Sequence, residues 1–253
     1  MIALSVNVNK IALIRNSRAG NNPDLASHAR RCIEAGADGI TVHPRPDQRH
    51  IRPGDVVQLA QLTHQFAGIE FNIEGNPFAA PRGNYPGLLP LVEQTQPQQC
   101  TLVPDTNNQL TSDHGFDLTK TADQLAPIVA RLQYLGTRVS LFMDADIPQI
   151  ELARQLGVDR IELYTGPYAA AWSDPLLRDQ VFDRYRAAAR YATEVDLGVN
   201  AGHDLNLENL ATFATVPGLL EVSIGHALII DAINIGLHSA VQAYKMLLKR
   251  IAG

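Results

Sequence analysis

The chain has 253 residues, of which 45% are hydrophobic, and its formal net charge at pH 7 is −5. This length suits one large domain, and the hydrophobic fraction is sufficient for one sizeable core. Proteins that bind nucleic acids or anionic membranes generally carry a basic face, so the acidic balance argues against both kinds of partner.

Short apolar runs rich in Val and Ile recur along the chain and predict eight β-strands. They cover residues 2–8, 39–43, 69–74, 100–104, 138–145, 160–165, 196–203 and 219–226. Most of the segments between them have helical spacing, such as 23–37, which has a proline near its start and Gly36 at its end. The segment 121–136 repeats this plan, with Thr121 as the expected N-cap and Gly136 at its end.

The cysteine content and the hydropathy of the chain indicate the compartment in which the protein is expected. The two cysteines, Cys32 and Cys100, do not form the close pairs typical of metal sites, so a reduced, cytoplasmic protein is expected. No stretch approaches the roughly 18 uninterrupted apolar residues of a membrane span. Residues 1–10 contain a short apolar strand rather than the charged leader and apolar core of a signal peptide.

The alternation of strands and helices predicts an α/β protein with a parallel sheet that is buried on both faces. Eight strands favour a closed (β/α)8 TIM barrel, formed as a single domain by residues 1–253. A repeated pattern supports this reading, because "GADGITVH" at 36 and "GVDRIELY" at 157 both enter a strand and lie half a barrel apart. An open doubly wound sheet stays possible, although no Gly-x-Gly-x-x-Gly follows the first strand.

Polar and ionisable side chains collect at the carboxyl ends of the predicted strands, where barrel enzymes place their active sites. In "GITVHPRPDQRH", residues 39–50, the apolar strand ends at His43, and prolines stiffen a loop that carries charge over the barrel mouth. The residues at or just after the strand ends are Asn7, Asn9, Lys10, His43, Arg45, Glu74, Thr111, Asp144, Glu162, Thr165, Asn200, His203, Gly225 and His226.

Several of these residues also have purely structural interpretations. His43 could bond a carbonyl at the end of its strand, and Glu74 could form an ion pair with Arg45. Glu162 lies between two apolar residues and should point into the barrel, where an unpaired carboxylate would be costly. A partner or a functional role is therefore expected for Glu162.

Two phosphate-binding regions are expected at the same end of the barrel. In "SIGHALIIDA" a strand is followed by Gly225 and a segment that can open a helix, and the N–H groups at such a junction bind anions. The turn "NAGHDL" lies on the same side. A second anion could be bound by arginines near the barrel mouth, namely Arg15, Arg18, Arg45 and Arg49.

The motifs, in order, resemble those of the pyridoxine 5′-phosphate synthase family of vitamin B6 biosynthesis. They include "NVNKIALIRNSRAG", "AGADGITVHPRPDQRHI", "NIE", "VSLFMDAD", "VNAGH" and "SIGHALI", and they span nearly the whole chain. The resemblance implies a TIM barrel with extra helices that assembles as a homo-octamer. It also implies condensation of 3-amino-2-oxopropyl phosphate with 1-deoxy-D-xylulose 5-phosphate into pyridoxine 5′-phosphate, phosphate and water, with no metal or organic cofactor.

The resemblance also assigns roles to residues of this sequence. His43 and Glu74 match the family's proton acceptors, and His203 matches its proton donor. Glu162 matches a carboxylate that stabilises transition states. The phosphate of 3-amino-2-oxopropyl phosphate, the aminoketone phosphate, is held in the family by positions that correspond to Asn7, Arg18, Gly225 and His226. The other substrate, deoxyxylulose phosphate, is held by positions that correspond to Arg45, His50 and Thr111.

The sequence departs from the family pattern at three places. The family reads Asn-x-Asp-His after the first strand, whereas this chain has Asn9 and Lys10 at the last two positions. We expect this pair to have exchanged together to keep deoxyxylulose phosphate bound, with neither residue an essential proton carrier. Asp204 stands where the family usually has a glycine, and we expect it to place negative charge near a substrate phosphate. The loop at 75–87 is longer than usual and is expected to act as a lid.

Two other classes of function stay open from the sequence alone. One is a metal-dependent barrel lyase or aldolase acting on a sugar phosphate, with His43, Glu74 and His203 as metal ligands. The other is a non-catalytic barrel that binds a sugar phosphate without turnover.

Overall fold

A computed structural model describes residues 1–106 and 108–251 of the chain. Eight parallel strands close into a barrel in which each strand pairs with the next along the chain and the last pairs with the first. The strands are β1 (Ala3–Asn7), β2 (Gly39–Val42), β3 (Glu70–Gly75), β4 (Gln99–Leu102), β5 (Arg138–Met143), β6 (Arg160–Tyr164), β7 (Gly198–Gly202) and β8 (Leu219–Ile224). The predicted fold class is confirmed.

Helices surround the barrel, and several strands are followed by more than one. Within the described ranges they are α1 (Asn9–Asn16), α2 (Leu25–Glu34), α3 (Pro53–Thr63), α4 (Leu88–Thr95), α5 (Leu118–Tyr134), α6 (Ile147–Leu156), α7 (Gly166–Ala171), α8 (Pro175–Glu194), α9 (Leu210–Phe213), α10 (His226–Ile235) and α11 (Leu237–Ile251). None of these helices is long and apolar enough to cross a membrane.

One local expectation about a helix was wrong. Helix α5 begins at Leu118 rather than after Thr121, because Asp117 is the N-cap and its carboxylate accepts from the N–H of Thr119 at 3.2 Å. The Thr121 hydroxyl instead donates to the carbonyl of Asp117 at 2.9 Å. The segment after β1 forms helix α1, so Asn9 and Lys10 lie just after the strand end, as expected, at the start of a helix.

The repeated Gly-x-Asp pattern marks equivalent positions in the two halves of the barrel. Asp38, at the entry to β2, donates its N–H to the carbonyl of Leu4 and accepts from the Leu4 N–H. Asp159, at the entry to β6, makes the same two bonds to Val139. Each aspartate therefore fastens the start of its strand to the preceding strand, and the half-barrel repeat is confirmed in the structure.

Small polar side chains fill part of the barrel interior and bond to one another across strands. The hydroxyl groups of Ser5 and Thr41 lie 2.7 Å apart, and the Asn72 amide donates to the Thr41 hydroxyl at 3.4 Å. The Thr101 hydroxyl donates to the Asn72 carbonyl oxygen at 3.3 Å. Because these buried groups satisfy one another, the barrel can hold a polar floor beneath its mouth.

Candidate active site

A cavity of about 380 Å³ opens at the carboxyl ends of the strands. All residues to which the resemblance assigns a role line it except Arg18, and Asn9, Lys10 and Asp204 line it too, whereas the other candidates from the strand ends and the arginine stretch, Arg15, Asp144, Thr165 and Asn200, do not. The lining residues are Asn7, Asn9, Lys10, Leu13, His43, Arg45, Arg49, His50, Glu74, Val103, Leu110, Thr111, Ser112, Phe142, Glu162, His203, Asp204, Leu205, Ser223, Ile224, Gly225, His226 and Ala227.

The junction between β1 and α1 ties three strand ends together. The Asn7 side-chain oxygen accepts from the N–H of Asn9 at 3.1 Å, and its amide nitrogen donates to Oε2 of Glu74 at 3.3 Å. The Asn9 side-chain oxygen accepts from the backbone N–H of His43 at 2.9 Å. Asn9 therefore fixes the backbone at the end of β2, and an aspartate oxygen could accept the same bond.

His43 is buried between two carboxylates. Its Nδ1 lies 3.6 Å from Oε2 of Glu74, and its Nε2 lies 3.3 Å from Oδ2 of Asp105. The alternative in which Glu74 forms an ion pair with Arg45 is not seen, because the Arg45 guanidinium binds Asp105 instead. This leaves Glu74 facing the cavity beside the imidazole.

Glu162 lies deep in the barrel, with 4% of its surface exposed. Burial raises its pKa well above the usual range, and the nearby carboxylates of Glu74 and Glu221 add to the rise, whereas a hydrogen bond with Thr101 opposes it. The neutral form of Glu162 is therefore favoured by its surroundings, and in that form its carboxyl group can donate a hydrogen bond. Gly202 leaves room for it, since a Cβ there would lie 2.7 Å from Oε1 of Glu162.

His203 is held by hydrogen bonds on both sides of its ring. Its Nε2 lies 2.7 Å from the hydroxyl oxygen of Thr111, and its Nδ1 lies 3.1 Å from Oδ2 of Asp204. The hydrogen bond with His203 lowers the pKa of Asp204, the neighbouring His226 and Lys10 lower it further, and burial opposes the change. The negative charge of Asp204 is thus balanced by His203 and its basic neighbours.

His50 presents a neutral imidazole at physiological pH. Burial lowers the pKa of His50 to about 3. The nearby His43, Arg45 and Arg49 also lower it. Its Nδ1 accepts from the backbone N–H of Ile51 at 2.9 Å. The ring proton therefore sits on Nε2, where it can donate to a ligand oxygen.

Gly225 brings the end of β8 close to the end of β1 and starts helix α10 at His226, as expected from the sequence. A Cβ at Gly225 would lie 3.1 Å from the Cβ of Asn7. The first N–H groups of a helix have no acceptor within the helix and attract anions. The start of α10 at Gly225 and His226 therefore gives the cavity wall an arrangement that suits an anion.

The four arginines near the mouth have different surroundings. Arg45 and Arg49 line the cavity, and both donate to the carbonyl of Gln109. Arg15 is 1% exposed and binds Asp55 through both of its terminal nitrogens, at 2.6 and 2.9 Å, so the expectation that it meets an anion is wrong. Arg18 lies exposed in the turn after α1, outside the cavity wall.

The sequence analysis did not single out several residues of the site. Ser112, Phe142 and Ser223 line the cavity, and Asp105 lies behind His43. Asp105 could have been found, because it is a carboxylate that directly follows the fourth predicted strand. Phe142 lies inside an apolar run and carries no such signal.

The loop at 75–87 borders a second, much smaller cavity instead of the main one. Asn76, Ala79 and Tyr85 line this space of about 10 Å³ together with His43 and Asp105. Its expected role as a lid stays a prediction. In the parts of the chain that the structure describes, no three His, Cys, Asp or Glu side chains are arranged to hold a metal ion.

Comparisons with known proteins agree with this geometry. The chain is 58% identical over 249 residues to "Pyridoxine 5′-phosphate synthase" of Xanthomonas oryzae pv. oryzae, covering 98% of this chain and 97% of the relative. It is 54% identical over 246 residues to the protein of the same name from Xylella fastidiosa, covering 95% and 92%.

A solved structure shares the fold. KGPDC from Streptococcus mutans matches with a TM-score of 0.64 over 100% of both chains, at 12% sequence identity. The model of the family "Pyridoxal phosphate biosynthesis protein PdxJ" matches residues 4–250. The chain belongs to this PdxJ family of vitamin B6 biosynthesis enzymes.

Proposed function

We propose that the chain condenses 3-amino-2-oxopropyl phosphate with 1-deoxy-D-xylulose 5-phosphate to give pyridoxine 5′-phosphate, inorganic phosphate and water. The observation that carries the proposal is the cavity that gathers His43, Glu74 and His203 with the start of helix α10 and the cationic side chains of Lys10, Arg45 and Arg49. The printed name of the relatives, pyridoxine 5′-phosphate synthase, supports the same reaction.

Proton transfer is the central task, because imine formation, dehydration, phosphate elimination and ring closure each move a proton. His43 and Glu74 serve as proton acceptors at one side of the cavity. His203, at the end of β7, serves as the proton donor. Glu162, whose neutral form is favoured by burial, donates a hydrogen bond to negative charge that develops on the reacting oxygen atoms.

The two phosphate groups bind at different parts of the cavity wall. Gly225 and His226 hold the aminoketone phosphate, with Asn7 beside them and Arg18 reaching in from its exposed turn. Arg45, His50 and Thr111 hold the phosphate of deoxyxylulose phosphate. These local donors explain how a protein with a net charge of −5 binds two anionic substrates.

The two departures after β1 have separate roles in this scheme. Asn9 holds the backbone N–H of His43, and Lys10 supplies positive charge at the cavity wall close enough to influence Asp204. Neither residue carries a proton in the reaction. Asp204 in turn bonds His203 at the rim of the substrate site.

A direct test mixes the purified protein, treated with a chelator, with both substrates and follows pyridoxine 5′-phosphate by mass spectrometry. We expect product only when both substrates are present, and no product from His203→Asn. Activity that appears only after a divalent metal is restored would favour a metal-dependent lyase. Binding of either substrate without turnover by the folded protein would favour a non-catalytic barrel.

We further propose that the protein is one barrel domain that functions as a homo-octamer in the cytoplasm. Exposed apolar residues on the contacting helices α1 and α10, among them Ile14, Ile230 and Ile233, support self-association. The free thiols Cys32 and Cys100 suit a reducing compartment. Light scattering on the purified protein measures the assembly size.

A further inference from the structure

Asp105 lies on the far side of His43 from the substrate cavity. It contacts Nε2 of His43 at 3.3 Å, yet it lines only the small cavity behind the imidazole. Glu74 is 3.6 Å from the other ring nitrogen and does line the main cavity. One carboxylate therefore faces the substrate site, while the other supports the imidazole from behind.

The carboxylate of Asp105 is itself held in place by several contacts. Its Oδ2 accepts from the Arg45 guanidinium and from the Ser112 hydroxyl, the latter at 3.0 Å. Its backbone carbonyl accepts from the Asn76 side chain at 2.6 Å. With 6% of its surface exposed, Asp105 is packed on all sides. Oδ2 of Asp105 is therefore a rigidly placed acceptor that can orient a hydrogen-bond donor beside it.

We propose that Asp105 is a positioning residue that holds His43 with its ring proton on Nε2 and its Nδ1 lone pair towards Glu74. Both ring nitrogens of His43 face carboxylate oxygens, which only accept while ionised, and the closer approach at Nε2, 3.3 Å against 3.6 Å at Nδ1, favours the proton of a neutral imidazole on Nε2. Nδ1 is then free to accept a proton beside Glu74. The inference rests on the proposed function, in which His43 is a proton acceptor.

The same oxygen of Asp105 links His43 to Arg45. Because Arg45 holds a substrate phosphate in the proposed function, a shift of Asp105 disturbs both the proton acceptor and the phosphate contact. The two effects separate in kinetics, since misplacement of His43 lowers kcat and misplacement of Arg45 raises KM for deoxyxylulose phosphate.

Kinetics of Asp105→Ala and Asp105→Asn, each in the wild-type and the His43→Gln background, test this role. We expect Asp105→Ala to lower kcat about 10–100-fold in the wild type, in line with the loss of a supporting residue. Asp105→Asn should recover at least part of kcat, because its amide oxygen can occupy the position of Oδ2. In the His43→Gln background, Asp105→Ala should lower kcat no further.

Tyr85→Phe is the matched control for disturbance of the small cavity. Tyr85 is buried there, and its hydroxyl makes no hydrogen bond to the protein within residues 1–106 and 108–251. We expect its kcat to stay within about twofold of wild type. The proposal is overturned if Asp105→Ala causes the same fold loss in both backgrounds, or if Asp105→Asn is as slow as Asp105→Ala while both are folded.

Magic-angle-spinning NMR of ¹⁵N-histidine-labelled protein tests the geometry without substrates and without any variant at Asp105. His43 is identified among the eight histidines by its loss from the His43→Gln spectrum. At a pH where an ordinary histidine is neutral, we expect its proton on Nε2. A proton on Nδ1 would overturn the proposal even if pyridoxine 5′-phosphate is formed. A proton on Nε2 without product would count against the proposed function alone.

Discussion

The Nδ1 atom of His43 lies 3.6 Å from Oε2 of Glu74, and both side chains are buried at the end of the barrel that opens to the cavity. Glu74 also accepts from the Asn7 amide at 3.3 Å. A change at Glu74 therefore affects a base, its neighbouring imidazole and the end of β1 together.

Glu74→Gln should lower product formation by about 10²–10⁴-fold, the usual cost of losing a positioned acid or base. Glu70→Gln is the matched control, because Glu70 lies on the same strand β3 at the opposite end and pairs with Arg138. We expect Glu70→Gln to keep near-normal kcat. Turnover by Glu74→Gln equal to that of Glu70→Gln, with both proteins folded, would contradict the role of Glu74.

Asn9→Ala should lower both kcat and stability, because it removes the acceptor for the backbone N–H of His43. Leaving such a buried donor without a partner costs about 1–3 kcal/mol of unfolding free energy. Asn9→Asp keeps an acceptor oxygen and should retain most of the activity. Urea denaturation and steady-state kinetics on both variants check this prediction, and equal losses in the two would refute it.

Lys10→Ala should raise KM for deoxyxylulose phosphate, because it removes positive charge from the cavity wall. The double variant Asn9→Asp with Lys10→His should stay active. Lys10→Arg keeps the charge and is the control. An unchanged KM in Lys10→Ala would rule out the binding role, and loss of turnover in Lys10→Arg with both substrates still bound would make Lys10 a participant in the chemistry.

Arg15→Met should lower the free energy of unfolding by about 3–5 kcal/mol, because it leaves the buried Asp55 carboxylate without its cation. Arg18→Ala changes an exposed side chain and should shift stability by no more than about 0.5 kcal/mol. Its effect should instead be a higher KM for the aminoketone phosphate. Similar losses of unfolding free energy in the two variants would show that the buried ion pair of Arg15 and Asp55 contributes no more to stability than the exposed Arg18.

Stability should depend on pH through Glu221, at the opposite end of the barrel. Burial raises its pKa to about 7, and Glu70 adds to the rise, although Arg160 opposes it. In the unfolded chain the pKa is about 4.3. The folded state binds more protons between these values, so the free energy of unfolding falls as the pH rises through this window.

Glu221→Gln cannot titrate and keeps an amide able to bond Gln99 and Arg160. Wild type should therefore lose stability relative to this variant when the pH is raised from 4.5 to 7. Urea denaturation at both pH values measures the shift. A difference that stays constant with pH would mean that Glu221 has an ordinary pKa in the folded protein.

Local patterns were sufficient for the fold and for most of the cavity wall. Apolar runs and helix-ending glycines defined all eight strands, because a strand covered on both faces needs a continuous apolar run. The rule that barrel loops after the strands form the site then identified His43, Glu74, Glu162 and His203 as neighbours. The strands in fact bring these four residues into one cavity.

Tertiary contacts decided what each polar side chain does. Arg15 and Arg45 belong to similar arginine-rich stretches, yet Arg15 is bound by Asp55 inside the protein and Arg45 lines the cavity against Asp105. The partners of a charged side chain come from distant segments, and no pattern along the chain specifies their distance. The sequence by itself therefore determined the barrel and the neighbourhood of its site, whereas the burial and partners of each charge were decided only by the folded structure.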